Sequence, residues 1–294
     1  MRLLIENVSK RYNDKQALDN IFIELREGVY GLIGPNGSGK TTLMRILADV
    51  LKPTKGRVLV NGQDKTDMDE KYRELLGYLP QEMGLYKNFT AFEFLLYISA
   101  LKGIEKKKAV WKAQELLELV SLKDDAKMQC GKFSGGMKRR LGIAQALLND
   151  PKILILDEPT VGLDPEEKIK FKNTIADISF DKIILYSTHT ISDIEMIAKE
   201  VILLNKGKLL IADTGENLLA GMDGRVWKSK VSEKEYANLN SINDNGLITN
   251  ISRKKDYMEI RIVSDKKPFE NCETTEPSYE DMYIHYFKTK GGVR

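Results

Sequence analysis

Several things are scarce in this chain of 294 residues. It has two cysteines, Cys130 and Cys272, without metal-ligand spacing. They suggest no disulfide framework and no cysteine zinc site, and a reducing interior is the simplest compartment. No long hydrophobic run occurs. The nearest, Phe92 to Leu101, carries Glu93 and falls short of the ~20 apolar residues that a spanning helix needs. The opening, Met1-Arg2-Leu3-Leu4-Ile5-Glu6, turns polar at once, so no signal peptide is expected. Charge of one sign is missing too. The 46 basic and 43 acidic residues leave a net charge of +3, which argues for neither nucleic acid nor an anionic membrane. Lys106-Lys107-Lys108 reads as a solvated helix face. There are no internal repeats and no low-complexity segments. A hydrophobic content of 42% suffices for a core. The length fits one large domain, or a domain with a smaller appendage.

What is present begins with Gly34-Pro35-Asn36-Gly37-Ser38-Gly39-Lys40-Thr41-Thr42. The apolar run Val29 to Ile33 precedes it, and a helical pattern, Leu43 to Ala48, comes after it. Strand, glycine-rich turn and helix are the context that makes a G-x-x-x-x-G-K-[ST] match a phosphate loop. Glycines permit positive φ and bring consecutive N–H groups against an anion, and the helix points its positive end at the same place. Lys40 can reach the β- and γ-phosphates of a nucleotide, and the Thr41 hydroxyl can ligate Mg²⁺. This loop alone fits kinases, GTPases, helicases and transport ATPases equally well.

Further along, Leu3 to Val8 and Ile21 to Leu25 read as strands, with Tyr12 in the turn region between them. Gly56 to Val60 with Asn61-Gly62 is a strand-and-hairpin signal, and Leu75 to Gln81 is a short strand. Thr90 and Glu93 form a capping-box signature that opens a helical pattern running to Val120. Ser134 is a good N-cap for the next helix, and Gly135-Gly136 in its first turn imply a close approach to the backbone and a second anion site. Ile153 to Leu156 reads as a central parallel strand buried on both faces. It ends in Asp157-Glu158, where open α/β sheets bind ligands. Asp157 is placed to hold Mg²⁺ and Glu158 to polarise a water. Pro165 to about Ile178 is a helix. The strand Ile183 to Thr188 ends at His189, on the same ligand edge. Val201 to Leu204 and Leu209 to Ala212 form a hairpin. Beyond about Gly221, short strand-like runs (Arg225 to Val231, Leu247 to Ile251, Met258 to Val263) and a helical piece from Tyr279 to Phe287 read as a small α+β appendage without catalytic groups.

The ordered set of Gly34 to Thr41, Gln81, Phe133 to Met137, Ile153 to Glu158, Val161 to Asp164 and His189 resembles the ATP-binding-cassette ATPases over roughly residues 1 to 220. The Ser-Gly-Gly element separates that family from kinases, GTPases and RecA-like motors. The resemblance implies an α/β phosphate-loop core with a mostly parallel sheet, an N-terminal antiparallel β subdomain, an inserted helical subdomain at about 88–150, and an accessory domain at 221–294. It implies that Tyr12 stacks on adenine, and that Gly34, Pro35, Asn36, Gly37, Ser38, Gly39, Lys40, Thr41 and Thr42 hold the triphosphate. Gln81 would touch Mg²⁺ and the attacking water, Glu158 would be the general base, and His189 would contact the γ-phosphate. Ser134, Gly135 and Gly136 would bind the γ-phosphate held by an opposite protomer, with Asp164 across the dimer interface. The usual Leu-Ser-Gly-Gly-Gln signature has Phe133 and Met137 at its ends here, and methionine cannot donate a hydrogen bond. The run Phe133 to Arg140, and the tail Glu276 to Tyr283, are similar to stand-alone ATPase subunits of multidrug, antibiotic and peptide exporters.

The expectation is therefore an ATPase that uses ATP and Mg²⁺ and dimerises as identical or paired subunits. It would drive a separately encoded membrane permease from the cytoplasmic face, with no nucleic-acid partner. One rival reading is a soluble cassette protein acting on ribosomes or DNA, which usually carries tandem cassettes or basic and zinc-binding insertions. The other is a non-catalytic ATP switch, against which Lys40, Asp157, Glu158 and His189 argue.

Overall fold

The computed structural model describes residues 1–239 and 246–289. Residues 240–245 and 290–294, part of the expected appendage, lie outside the described residues. The chain forms two compact units, Met1–Ala212 and a second beginning at Asp213.

In the first unit, β1 (Arg2–Tyr12) and β2 (Lys15–Arg26) pair antiparallel. After β3 (Gly28–Ile33) and α1 (Lys40–Leu47), β4 (Lys55–Val60) adds to the other side of β1, and β5 (Gln63–Asp64) closes that sheet. Two short helices, α2 (Lys65–Met68) and α3 (Glu70–Glu74), lead to β6 (Leu76–Leu79). Then come α4 (Ala91–Leu101), α5 (Lys106–Leu119), α6 (Gly135–Leu147), β7 (Ile153–Asp157), α7 (Pro165–Ile178), β8 (Ile183–Thr188), β9 (Glu200–Asn205) and β10 (Lys208–Asp213), the last crossing into the second unit. The central sheet has the order β10-β9-β3-β8-β7-β6. Its five strands from β9 to β6 are parallel, and β7 and β8 are buried throughout, as their aliphatic runs require.

One core joins both sheets around α1. Leu43, Met44, Ile46 and Leu47 are at most 1% exposed and share a cluster with Leu3, Ile5, Leu32, Val58 and Ile155. Each such side chain contributes about 1.5–3 kcal/mol of burial, so the helix that opens at Lys40 is fixed between two sheets. Parallel register then brings the carboxyl ends of β3, β6, β7 and β8 level. Ile33 faces Thr188, Asp157 faces Ser187, and Leu79 faces Leu156.

The structure departs from the sequence reading in a few places. Tyr12 ends a strand rather than lying in a turn, because β1 and β2 continue pairing to Tyr12 and Lys15. The helical stretch from Thr90 to Val120 is two helices. Thr90 and Glu93 do form the capping box, but α4 stops at a left-handed Gly103 (φ 71°). The Ile104 N–H reaches Ser99 O and the Gly103 N–H reaches Ala100 O, a Schellman ending. Lys102–Glu105 thus separate two segments that the apolar periodicity alone merges.

The second unit contains α8 (Gly215–Ala220), β11 (Val226–Val231), α9 (Glu233–Leu239), β12 (Leu247–Arg253), β13 (Met258–Val263), β14 (Glu273–Thr274) and α10 (Tyr279–Ile284). Its antiparallel sheet has the order β12-β13-β11-β14. Among the described residues no helix is long and apolar enough to cross a membrane.

Candidate active site

The loop between β3 and α1 wraps the start of the helix. Gly39 takes φ 108°, and a Cβ there would come within 2.6 Å of Ala17 O and 2.8 Å of Leu18 Cδ2, so only glycine fits. Ser38 N–H donates to Pro35 O at 3.1 Å, tightening the turn. Lys40 is 7% exposed, and its ammonium donates to Gly34 O (2.6 Å) and Pro35 O (3.2 Å). Burial holds its pKa below the usual lysine range, and the Glu158 and Asp157 carboxylates pull it partly back. Tyr12, Asn36 to Thr42, Gln81 and Glu158 line one cleft of about 420 Å³. Tyr12 stands at its wall, 43% exposed.

Opposite the loop, the end of β7 supplies two carboxylates in different settings. Asp157 is 1% exposed. Ser187 Oγ donates to its Oδ1 at 2.6 Å, while Oδ2 is buried and unpartnered. Ser38 Oγ is likewise buried without a partner. Orphaned buried oxygens are rare enough in folded proteins to call for a ligand or a water. An unpaired carboxylate oxygen and the Thr41 hydroxyl are the hard donors that Mg²⁺ takes, so these residues fit that ion. Glu158 has φ 50°, an uncommon backbone for a non-glycine residue. Its N–H donates to Ser187 Oγ at 3.0 Å, and its Oε1 lies 3.1 Å from His189 Nδ1. A carboxylate beside an imidazole, facing an anion cradle, can accept a proton from water while the ring orients it.

The helix α6 presents the second group of expected residues. Ser134 caps it, its Oγ accepting from the Met137 N–H at 3.1 Å, and is exposed. Met137 thus serves the cap through its backbone, and Phe133 is buried beneath the turn at 4% exposure. A Cβ on Gly135 would meet nothing within 4 Å, whereas one on Gly136 would meet Glu167 Oε2 and Gly162 O at 3.0 and 3.1 Å. Ser134 and Asp164 do not line the cleft of the phosphate loop. Asp164 caps α7: its Oδ1 accepts from the Glu167 N–H at 2.8 Å in a capping box.

Sequence reasoning misses two residues at the site. Ser187 reads as part of a buried strand; a hydroxyl at the end of an aliphatic run, paired with the Asp157 position, is the available signal. Arg139 reads only as part of a basic run. It lies on the buried face of α6, three residues after Gly136 and four before Ile143, and its guanidinium reaches the ends of β6 and β7.

The family model described as "ABC transporter" matches residues 18–161. The chain is 39% identical over 207 residues to the bacitracin transport ATP-binding protein BcrA of Bacillus licheniformis, covering 69% of this chain and 67% of that protein. It is 36% identical over 224 residues to the probable sulfate/thiosulfate import ATP-binding protein CysA of Chlorella vulgaris, covering 74% and 93%. Among solved structures, the dimeric post-hydrolysis state of the ATP-binding cassette MJ0796 bound to ADP and Pi superposes with a TM-score of 0.67 at 26% identity, over 72% of this chain and 98% of that one.

Proposed function

We propose how this chain works from its membership: it belongs to the ABC transporter family and is one of its ATP-binding, ATP-hydrolysing subunits. Two copies, or this chain and a paired subunit, close around two ATP molecules and drive a separate membrane permease at the inner face of the cell membrane. The loop Gly34 to Thr42 holds the triphosphate, with Tyr12 against adenine. Thr41, Asp157 and Gln81 hold Mg²⁺, which when bound neutralises charge on the β- and γ-phosphates. Glu158 takes a proton from the attacking water, and His189 keeps that carboxylate oriented and contacts the γ-phosphate. Gln81 positions the same water.

The observation that carries the dimer is the Ser134-Gly135-Gly136 turn. Ser134 caps its own helix, Gly135 faces open space, and no residue of the turn lines the phosphate-loop cleft of its own chain, although Gly135 shares a neighbouring cavity with Gln81 and Glu158. A helix N-terminus with that exposure offers its N–H groups to an anion from elsewhere. Asp164 accompanies it across the dimer interface while its carboxylate caps α7. Export is favoured by the Phe133 to Arg140 run and the Glu276 to Tyr283 tail. Likeness of the cassette alone is shared with an import protein.

A bulky cation at Ser134 separates the two anion sites. Ser134→Arg is expected to bind ATP with wild-type affinity, remain monomeric with ATP, and lose hydrolysis. Mixed with Lys40→Ala subunits, it regains one composite site, since an intact turn of one chain meets an intact loop of the other. A Ser134→Arg protein that hydrolyses ATP at the wild-type rate sinks the proposal.

A further inference from the structure

Arg139 belongs to none of the phosphate-binding motifs, yet it is built into the site. The residue is 7% exposed, and no carboxylate forms an ion pair with it among the described residues; the ion pair on this stretch belongs to its neighbour Arg140. Instead every one of its N–H groups goes to a backbone carbonyl. Nε donates to Pro159 O (3.2 Å); Nη1 donates to Pro80 O (2.8 Å) and Gln81 O (3.0 Å); Nη2 donates to Asp157 O and Glu158 O. A guanidinium has five N–H donors in a rigid planar fork, and here the fork is saturated. Lysine offers three donors from one point and glutamine two, so neither reproduces it.

The five carbonyls flank the ends of β6 and β7, and they carry Gln81 and Glu158. A second contact ties the same helix to the same loop. Gly142 leaves a notch on α6 into which Met83 Sδ and Leu79 Cδ1 pack, close enough that any Cβ would collide. Glu158 also sits in a left-handed backbone conformation, of the kind that costs of order 1–3 kcal/mol and persists only where surroundings over-determine it. The fork on its own carbonyl, with Ser187 on its N–H, supplies that determination.

We propose that Arg139 is a positioning residue: it locks Gln81 and Glu158 to α6, so the base of one site and the Ser-Gly-Gly turn at the start of the same helix hold a fixed relation. That role rests on the proposed functions of Glu158 and of the turn. The locking of the two carbonyl segments itself rests on geometry alone.

Two readouts on the full chain test it. Amide hydrogen exchange without nucleotide tracks peptides covering 78–84 and 157–163, and steady-state kinetics give kcat and KM for ATP. In Arg139→Gln, both peptides are expected to exchange at least about tenfold faster through local opening. kcat is expected to fall about 10–100-fold, the cost of a misplaced catalytic group, with KM and ATP affinity within about threefold of wild type. Arg139→Lys, which keeps the charge and part of the donor set, recovers some of both, and carries the test if the glutamine variant does not fold. Unchanged exchange in the two peptides overturns the proposal. So does a kcat within about twofold of wild type, or a parallel loss of kcat and ATP affinity that tracks the folded fraction. If the wild-type chain hydrolyses no ATP, the functional reading fails while the exchange comparison still decides whether Arg139 locks the two segments.

Discussion

Removing one hydroxyl, in Ser187→Ala, perturbs both carboxylates of the site without touching either. Ser187 is fully buried. Its Oγ donates to Asp157 Oδ1 (2.6 Å) and accepts from the Glu158 N–H (3.0 Å). The first is a bond to a charged group, about 1.5–3 kcal/mol, and losing the second leaves a part-buried N–H without its partner, at about 1 kcal/mol. Asp157 would then have both carboxylate oxygens unpartnered, since Oδ2 already is. Allowing for partial relaxation, the loss is about 2–4 kcal/mol, a sizeable part of the about 5–15 kcal/mol that a domain has in total. For a unit of this size that corresponds to a fall in Tm of about 5–15 °C. Circular dichroism melts of wild type and Ser187→Ala measure it, with Ser192→Ala, at an exposed serine, as a control expected within about 0.5 kcal/mol. A Ser187→Ala Tm within about 2 °C of wild type would refute the reasoning.

Glu158→Gln should keep the phosphate cradle and lose general-base catalysis, about 10²–10⁴-fold in rate. It should therefore accumulate as an ATP-bound dimer in size-exclusion chromatography, and a monomer with ATP demonstrably bound counts against the closed pair. In the second unit, Asp281 is fully buried, and although burial pushes its pKa up, Arg261, Ser278 and Thr249 hold it below the usual carboxylate range. A depressed folded-state pKa gives stability that is present above the unfolded value of about 3.9 and lost as pH falls through the folded one. Asp281→Ala should cost about 3–5 kcal/mol at pH 7 and abolish that acid dependence in urea melts; an unaltered pH profile speaks against it. A truncation after Ala212, where the first unit ends, should fold and bind ATP, as isothermal titration can check. Cutting at Ala220 instead would strand α8, whose Gly215 packs against the hydroxyl end of Tyr279; a nucleotide-blind truncation at Ala212 means that the second unit completes the first.

Residues are legible from sequence when their requirement is local. The phosphate loop needs glycines at fixed offsets and a helix after it, the Thr90-Glu93 capping box spans four residues, and β7 and β8 announce burial by unbroken aliphatic runs. The tail is legible only as a likeness. Its physical content is a cap, with Ser278 and Asp281 bonded to each other and Asp281 reaching Arg261 and Thr249 on neighbouring strands. Hidden residues are those whose partners are distant in sequence. Ser187 lies thirty positions from Asp157, and Arg139 lies 59 from Pro80. Asp164, expected at an interface, is also a helix cap, because a short acidic side chain before Pro165 serves the N-terminus of α7 whatever else it meets.

Partners distant in sequence also determine where the base sits. A carboxylate one position after a buried parallel strand would, with ordinary extended backbone, continue along the sheet edge. The turn to φ 50° at Glu158 breaks that line and sets Oε1 beside His189 from the neighbouring strand. Such a conformation is unfavourable for glutamate in isolation. It is held on both sides of the residue: Ser187 of β8 takes the N–H, and Arg139 of α6 takes the carbonyl. Neither clamp lies in a motif that binds phosphate. The strain is therefore supported by the central sheet and the signature helix together, which makes the placement of the base sensitive to α6 as well as to the strand that carries it.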